Sequence, residues 1–147
     1  ARGMFFNIGL ETGKTEMIHA VLEGVCYHLR WQLEAMEKSV KTSNTIRLVG
    51  GGALSALTCQ ILSDVLNRQI ETVESPQNAG AVGAAAVIAA GLGIIGSIED
   101  AKKLIPTQGR YLPNPANTAV YNEYVKVFKS LYINNAAAFK TLNRDRQ

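Results

Sequence analysis

The chain has 147 residues, the size of one domain with room for one sizeable core. Hydrophobic residues make up 47% and charged residues 18%, which excludes a disordered or fibrous chain. The net charge of +3 is scattered: only Lys102-Lys103 and the tail Arg144-Asp145-Arg146 bring basic residues together, so no nucleic-acid-binding face is expected.

In chain order, residues 4 to 10 (MFFNIGL) read as a strand or extended stretch. From 14 to 41 the pattern is helical, with Thr12 as its expected cap. Ile18, Val21, Leu22, Val25, Leu29, Leu33, Met36 and Val40 recur at steps of three and four and form one expected core stripe. TIRLV (45–49) reads as a strand, and 54 to 67 as a second helix with Leu57, Ile61, Leu62, Val65 and Leu66 inward. QIETV (69–73) is a short strand, SPQN a turn, and 79 to 93 a third helix of mostly alanine and glycine, able to bring its backbone close to a neighbour.

Ser97 and Glu99-Asp100 suit the start of a short helix over 97–105. Residues 106–117 read as a turn-rich linker. A final helix over 118–142 carries Tyr121, Tyr124, Val125, Phe128, Leu131 and Tyr132 on its apolar side. The order β-α-β-α-β-α-α-α favours an α/β fold around a mainly parallel sheet. Three strands make a thin sheet, and the chain opens on Ala1-Arg2-Gly3, so a fold continuing beyond this sequence is expected.

Cys26 and Cys59 lie in apolar runs without C-x-x-C spacing and read as reduced buried thiols of a cytoplasmic protein. No signal peptide or membrane span is evident; the apolar run 79–95 is interrupted by glycines and too short to cross a bilayer well.

The segment carrying the clearest chemistry is IRLVGGGALSALTCQILSDVL (46–66). Gly50, Gly51 and Gly52 follow a strand and precede a helix, where ligands of open α/β sheets bind. Without side chains there, a flat or phosphorylated ligand can touch the backbone, and the next helix's first N–H groups can hold an anion. A tight turn with no ligand is the plain alternative. Among ligands, a dinucleotide fits GGGALS as an incomplete G-x-G-x-x-G, with Glu71 or Glu74 placed to hold a ribose, although a long helix precedes the turn. ATP on an actin-like kinase fold is the other class. A P-loop is excluded, because no G-x-x-x-x-G-K-[ST] occurs.

AVLEGVCYHLR (20–30), IRLVGGGALSALTCQILSDVLNRQI (46–70) and NAGAVGAAAVIAAG (78–91) follow in an order and spacing that resembles the carboxyl-terminal ATPase half of the FGGY carbohydrate kinases, nearest the xylulokinase and gluconokinase branch. The resemblance covers nearly the whole chain. It implies an actin-like (ribonuclease H-like) domain, with 1–147 as the nucleotide-binding half of a two-domain sugar kinase whose amino-terminal half is its partner. It also implies transfer of the γ-phosphoryl of Mg-ATP to a sugar hydroxyl, with D-xylulose or a related pentulose first in rank and gluconate next.

Carried onto this sequence, Gly50, Gly51, Gly52 and Ala53 would line the adenosine pocket, and Ala56 would stand near the base or ribose. Gly80 and Gly83 would let the third helix approach that pocket. Gln60 and Asp64 match positions filled alike in the family, either as nucleotide contacts or as polar contacts fixing the helix. The aspartate base, the carboxylates that hold Mg2+ and most of the sugar pocket belong to the other half. No catalytic or metal-ligating residue is therefore assigned in this chain, which alone should be inactive.

Ser55-Ala56-Leu57-Thr58 departs from the family's S-P-x-W and lacks its aromatic. Asn7-Ile8 and His19 depart too, where a glycine-aliphatic pair and an arginine are common. His19 and His28 sit nine residues apart, about 900° of helical rotation, on opposite faces, so no shared metal site is expected. Glu23 reads as a buried partner for a backbone group or an arginine. Trp31 and the tyrosines of the final helix read as packing, or as contacts to the missing half or a second subunit of a homodimer.

Overall fold

The computed structural model describes residues 3–144, with backbone alone at 102–104; Asp145 and Arg146 of the basic tail lie outside the described residues. Helix α1 spans Lys14–Glu37. Its cap is Gly13, whose N–H donates to Glu16 Oε2 at 3.1 Å, whereas Thr12 Oγ1 accepts from Gly9 N at 3.0 Å. Strand β1 (Thr45–Leu48) leads through the glycines to α2 (Ala56–Leu66), and α2 returns the chain to β2 (Gln69–Val73). Ser55 Oγ caps α2 by accepting from Thr58 N, and Asn67 closes it in the left-handed conformation at φ 51°.

Then come α3 (Ala79–Gly91), a 3-10 segment at Ile98–Leu104, β3 (Thr107–Tyr111) and α4 (Pro115–Leu142). Asn114 caps α4 by accepting from Ala116 N, and Pro115 occupies its first turn, where a missing N–H costs nothing.

The sheet order is β1-β2-β3. β1 and β2 run parallel with Ile46 opposite Ile70, as a strand-helix-strand crossover requires. β3 runs antiparallel to β2, with Glu71 opposite Arg110. The third strand therefore comes from the segment read as a linker (106–117), and residues 4–10 form no strand. TQGRY escapes the alternation rule because it is an edge strand with little apolar surface. Its Gly109 is a packing glycine: a Cβ there would meet Thr72 Oγ1 at 2.8 Å. Residues 97–105 form a 3-10 segment rather than an α-helix, held at Ser97 by Asp100 Oδ2.

The core gathers on α2, which packs against α1, α4 and β2. Cys59, Ile61, Leu62, Val65 and Leu66 are buried with Ile70, Val125, Cys26 and Tyr27. Each such aliphatic side chain contributes about 1.5–3 kcal/mol of burial. Tyr27 packs on Tyr121 and Phe128 with ring centroids 6.0 and 5.6 Å apart. Leu57 is exposed instead of inward.

Most of the stripe assigned to the core of α1 faces outward: Ile18, Val21, Val25, Leu29 and Met36 are exposed, as is Val40 beyond the helix, whereas Leu22 is half-buried and Leu33 packs against the core. The buried face of α1 is set by Cys26, Tyr27, Arg30 and Leu33, about a third of a turn around the helix. Arg30 Nη1 donates to the Val65 carbonyl at 2.8 Å and Arg68 pairs with Glu37 at 3.0 Å, so polar side chains fasten this face to the end of α2. Glu34 receives both Arg30 and Lys129, joining α1 to α4. Among the described residues no helix is long and apolar enough to cross a membrane.

Candidate functional site

Past the end of β1, Gly50 adopts φ 87°, a conformation that side chains rarely tolerate. Its N–H donates to the Pro76 carbonyl at 2.8 Å, joining the glycine turn to the 3-10 turn Pro76–Asn78 that leads into α3. Residues Gly51–Leu54 then form a 3-10 turn, with Ala53 N bonded to Gly50 O at 3.1 Å and Ser55 N to Gly52 O at 3.4 Å. Ala53 is buried beneath, and its carbonyl accepts from Cys59 Sγ at 3.7 Å. Burial pushes the Cys59 thiol above its ordinary range, keeping it neutral.

Gly51 and Gly52 are exposed, and a Cβ added to either would meet nothing within 4 Å. The same holds for Gly80 and Gly83 on α3. Only Gly50 has a conformational requirement, so the protein's own packing accounts for none of the other four. The expected close approach of α3 at Gly80 and Gly83 is absent among the described residues. Gly50 to Ala53 and the lead-in to α3 lie together as one open surface, with Ala56 exposed beside them at the start of α2. The bend is not walled off by the protein's own side chains.

Gln60 turns away from a nucleotide role. Its Nε2 donates to Asp64 Oδ1 at 2.8 Å and to the Leu112 carbonyl at 2.9 Å. Asp64 is 2% exposed and also accepts from Asn114 N and Asn117 Nδ2, each at 2.8 Å, while its carbonyl accepts from Thr118 Oγ1. Of the two roles left open by the sequence, the structure displays helix fixing: this carboxylate anchors the start of α4 against α2.

Of the two candidate ribose acids, Glu74 is exposed, and Glu71 bridges Arg47 at 3.4 Å and Arg110 at 3.3 Å across the three strands and also accepts from Gln69 Nε2. Glu23 accepts from Tyr27 Oη at 3.2 Å and Tyr121 Oη at 2.9 Å, so its buried partners are phenols. Burial first, then Glu23, raises both phenols and pushes the Cys26 thiol up to about 11. Among the described residues no group of three or more His, Cys, Asp or Glu converges on a cation position. Trp31 packs edge-on against Tyr132 at 5.6 Å. Sequence reasoning missed the Pro76 carbonyl and the Cys59 thiol, the two groups that hold the glycine turn in place; the SPQN turn beside the glycines was the only signal.

Residues 1–92 match the sequence model of the FGGY family of carbohydrate kinases, C-terminal domain. The chain belongs to this family. It is 31% identical over 132 residues to a xylulose kinase of Staphylococcus epidermidis, covering 89% of this chain and 26% of that protein. Crystal structures of a ligand-bound xylulose kinase and of a gluconate kinase, both from Lactobacillus acidophilus, superpose with a TM-score of 0.86 at 25% identity, covering 97% of this chain and 29% of each of those. This FGGY chain therefore has the α/β, actin-like ATPase fold and spans about a quarter of the length of the curated relative. Within it, Ser55 caps α2 by accepting from Thr58 N, and Thr58 is the residue that stands at the expected aromatic's position.

Proposed function

We propose that this chain is the ATP-binding part of a carbohydrate kinase that transfers the γ-phosphoryl of Mg-ATP to a sugar hydroxyl, with D-xylulose or a related pentulose as first candidate and gluconate next. The observation that carries the reading is the outward-open glycine surface. Gly51, Gly52 and Gly80 lack side chains where nothing in the chain would obstruct one. A planar base and its ribose would lie against bare peptide there, with Ala53 and Ala56 beneath and beside them.

The role of these residues is to bind and orient the nucleotide. Phosphoryl transfer depends on holding donor and acceptor in line, so a well-seated adenosine contributes positioning rather than bond chemistry. Mg2+ would supply charge neutralisation on the phosphates and is assigned to carboxylates outside this chain, as is the base that accepts the sugar's proton. The sugar pocket and the amino-terminal half belong to the same reading. Two buried thiols fit the reducing cytoplasm. For the alternative dinucleotide module, Glu71 is committed to two arginines, which leaves Glu74 alone of its two candidate ribose acids.

Thermal-shift titration with a non-hydrolysable ATP analogue and, separately, with NAD tests the reading. An ATP-type stabilisation that disappears in Gly52→Asp is expected. Stabilisation by NAD and not by the ATP analogue overturns it.

A further inference from the structure

A floor of bare peptide holds a flat base by its face, and every base has such a face. Telling one base from another takes hydrogen bonds to the base's edge. Gly51, Gly52 and Gly80 carry no side chain for that purpose, so the group that reads the edge must stand beside them.

The segment fastened to the glycine turn is Ser75-Pro76-Gln77-Asn78. Pro76 is buried, and its carbonyl accepts from Gly50 N at 2.8 Å and also from Ala79 N. Asn78 N donates to Ser75 O at 2.9 Å, and Ser75 takes φ 48°, a left-handed value uncommon for a residue with a side chain. A turn held at this many points presents Gln77 and Asn78, both exposed, at a fixed place beside Gly50. The other polar candidates are engaged elsewhere: Gln60 with Asp64 and Leu112, Glu71 with two arginines, and Ser55 as the cap of α2.

Asn78 is the residue whose identity the fold leaves unexplained. It occupies the N-cap of α3, where an asparagine ordinarily accepts from a first-turn N–H, as Asn114 does from Ala116 N at the start of α4. Asn78 makes no such bond. The 3-10 turn has already placed Asn78 N and Ala79 N on the Ser75 and Pro76 carbonyls. The carboxamide therefore retains an acceptor and a donor that the cap does not use.

We propose that Asn78 selects the base: its carboxamide oxygen accepts from the amino group on C6 of adenine, and its N–H donates to N7. The pairing rests on the ATP-binding reading above. Guanine presents acceptors at both of these positions, so one half of the carboxamide meets its like and the pairing fails. On the N1 side of the ring, a flipped carboxamide would suit either purine, so only the pairing through N7 discriminates.

Calorimetric titration of the chain with non-hydrolysable analogues of ATP, 7-deaza-ATP and GTP tests the assignment. The unaltered protein should bind the ATP analogue at least about fivefold more tightly than either of the others. Asn78→Ala should bring all three within about twofold of one another by weakening the ATP analogue alone. Its Tm should stay within about 2 °C of the unaltered protein's, because no cap is lost. Gln77→Ala should keep the preference.

A preference that survives Asn78→Ala overturns the proposal, and so does one that disappears in Gln77→Ala. A Tm loss above about 5 °C in Asn78→Ala overturns it too, by showing that the side chain serves the helix. Equal binding of the three analogues by the unaltered protein removes the selection and leaves the ATP-binding reading standing; binding of none of them removes both.

Discussion

The polar cluster between α2 and α4 and the glycine turn ahead of α2 differ in whether the chain explains its own composition. At the first, every unusual residue has a partner inside the molecule: Asp64 is buried and charged, and Gln60, Asn114 and Asn117 supply its hydrogen bonds. At the second, the backbone is satisfied but the missing side chains answer to nothing nearby. A residue choice that its own contacts do not require points to a molecule, or a length of chain, that comes from outside. The same contrast separates the inner face of α1 from its outer stripe.

The largest effect expected is on the satisfied side. Asp64→Ala leaves three donors without their acceptor and should cost about 3 kcal/mol, seen as a Tm loss of roughly 10 °C and selective exposure of the α4 N-terminus to hydrogen exchange. If Tm hardly moves, the cluster is not what joins the two helices.

Next comes Gly50→Ala, which forces a Cβ into φ 87° and should cost about 1–2 kcal/mol by denaturant melt. Retained stability would mean that the turn relaxes freely and that its shape is not fixed.

Alkaline pH probes the buried interior with a smaller effect. The Cys26 thiol titrates at about 11 when folded, above its ordinary 9.0, because burial and then Glu23 disfavour the thiolate. The fold binds this proton more tightly than the unfolded chain does. The contribution is therefore complete below pH 9 and is lost as pH rises from 9 towards 11. Tm should fall across that window and fall less in Cys26→Ala; equal slopes would remove Cys26 as the cause.

The smallest stability effects belong to the open side. Gly51→Ala and Gly83→Leu should leave the isolated chain within about 0.5 kcal/mol, or make it slightly more stable, since neither added side chain meets an obstacle. Gly51→Ala should nevertheless weaken binding of the ATP analogue by calorimetry. Unfolding by Gly83→Leu would restore the close helix packing that the Ala/Gly composition suggests.

How much of this was legible follows the same division. The strand, glycine turn and helix from 45 to 66 were readable because turn chemistry and burial agree there: Ser55 caps, and Ile61, Leu62 and Val65 are buried as their spacing requires. β3 was not readable, because TQGRY is an edge strand whose stability lies in main-chain pairing and the Glu71–Arg110 contact. Residues 4–10 are apolar enough for a strand but have no strand beside them. Periodicity grouped Ile18, Val21, Val25 and Leu29 on one face correctly, yet periodicity carries no information on whether that face is covered by the same chain. For Gln60 and Asp64 the sequence offered two roles, and only three-dimensional proximity to Leu112 and Asn114 separates them.

The link between Gly50 N–H and the Pro76 carbonyl is made wholly of main-chain atoms. Exchanging a side chain at either end deletes neither donor nor acceptor, short of placing proline at position 50. The junction can therefore persist through extensive divergence of the residues around it, provided the peptide at position 50 keeps its unusual dihedral. One glycine then acts as the hereditary constraint on the geometry, while Gly51 and Gly52 remain free to vary with whatever rests against them.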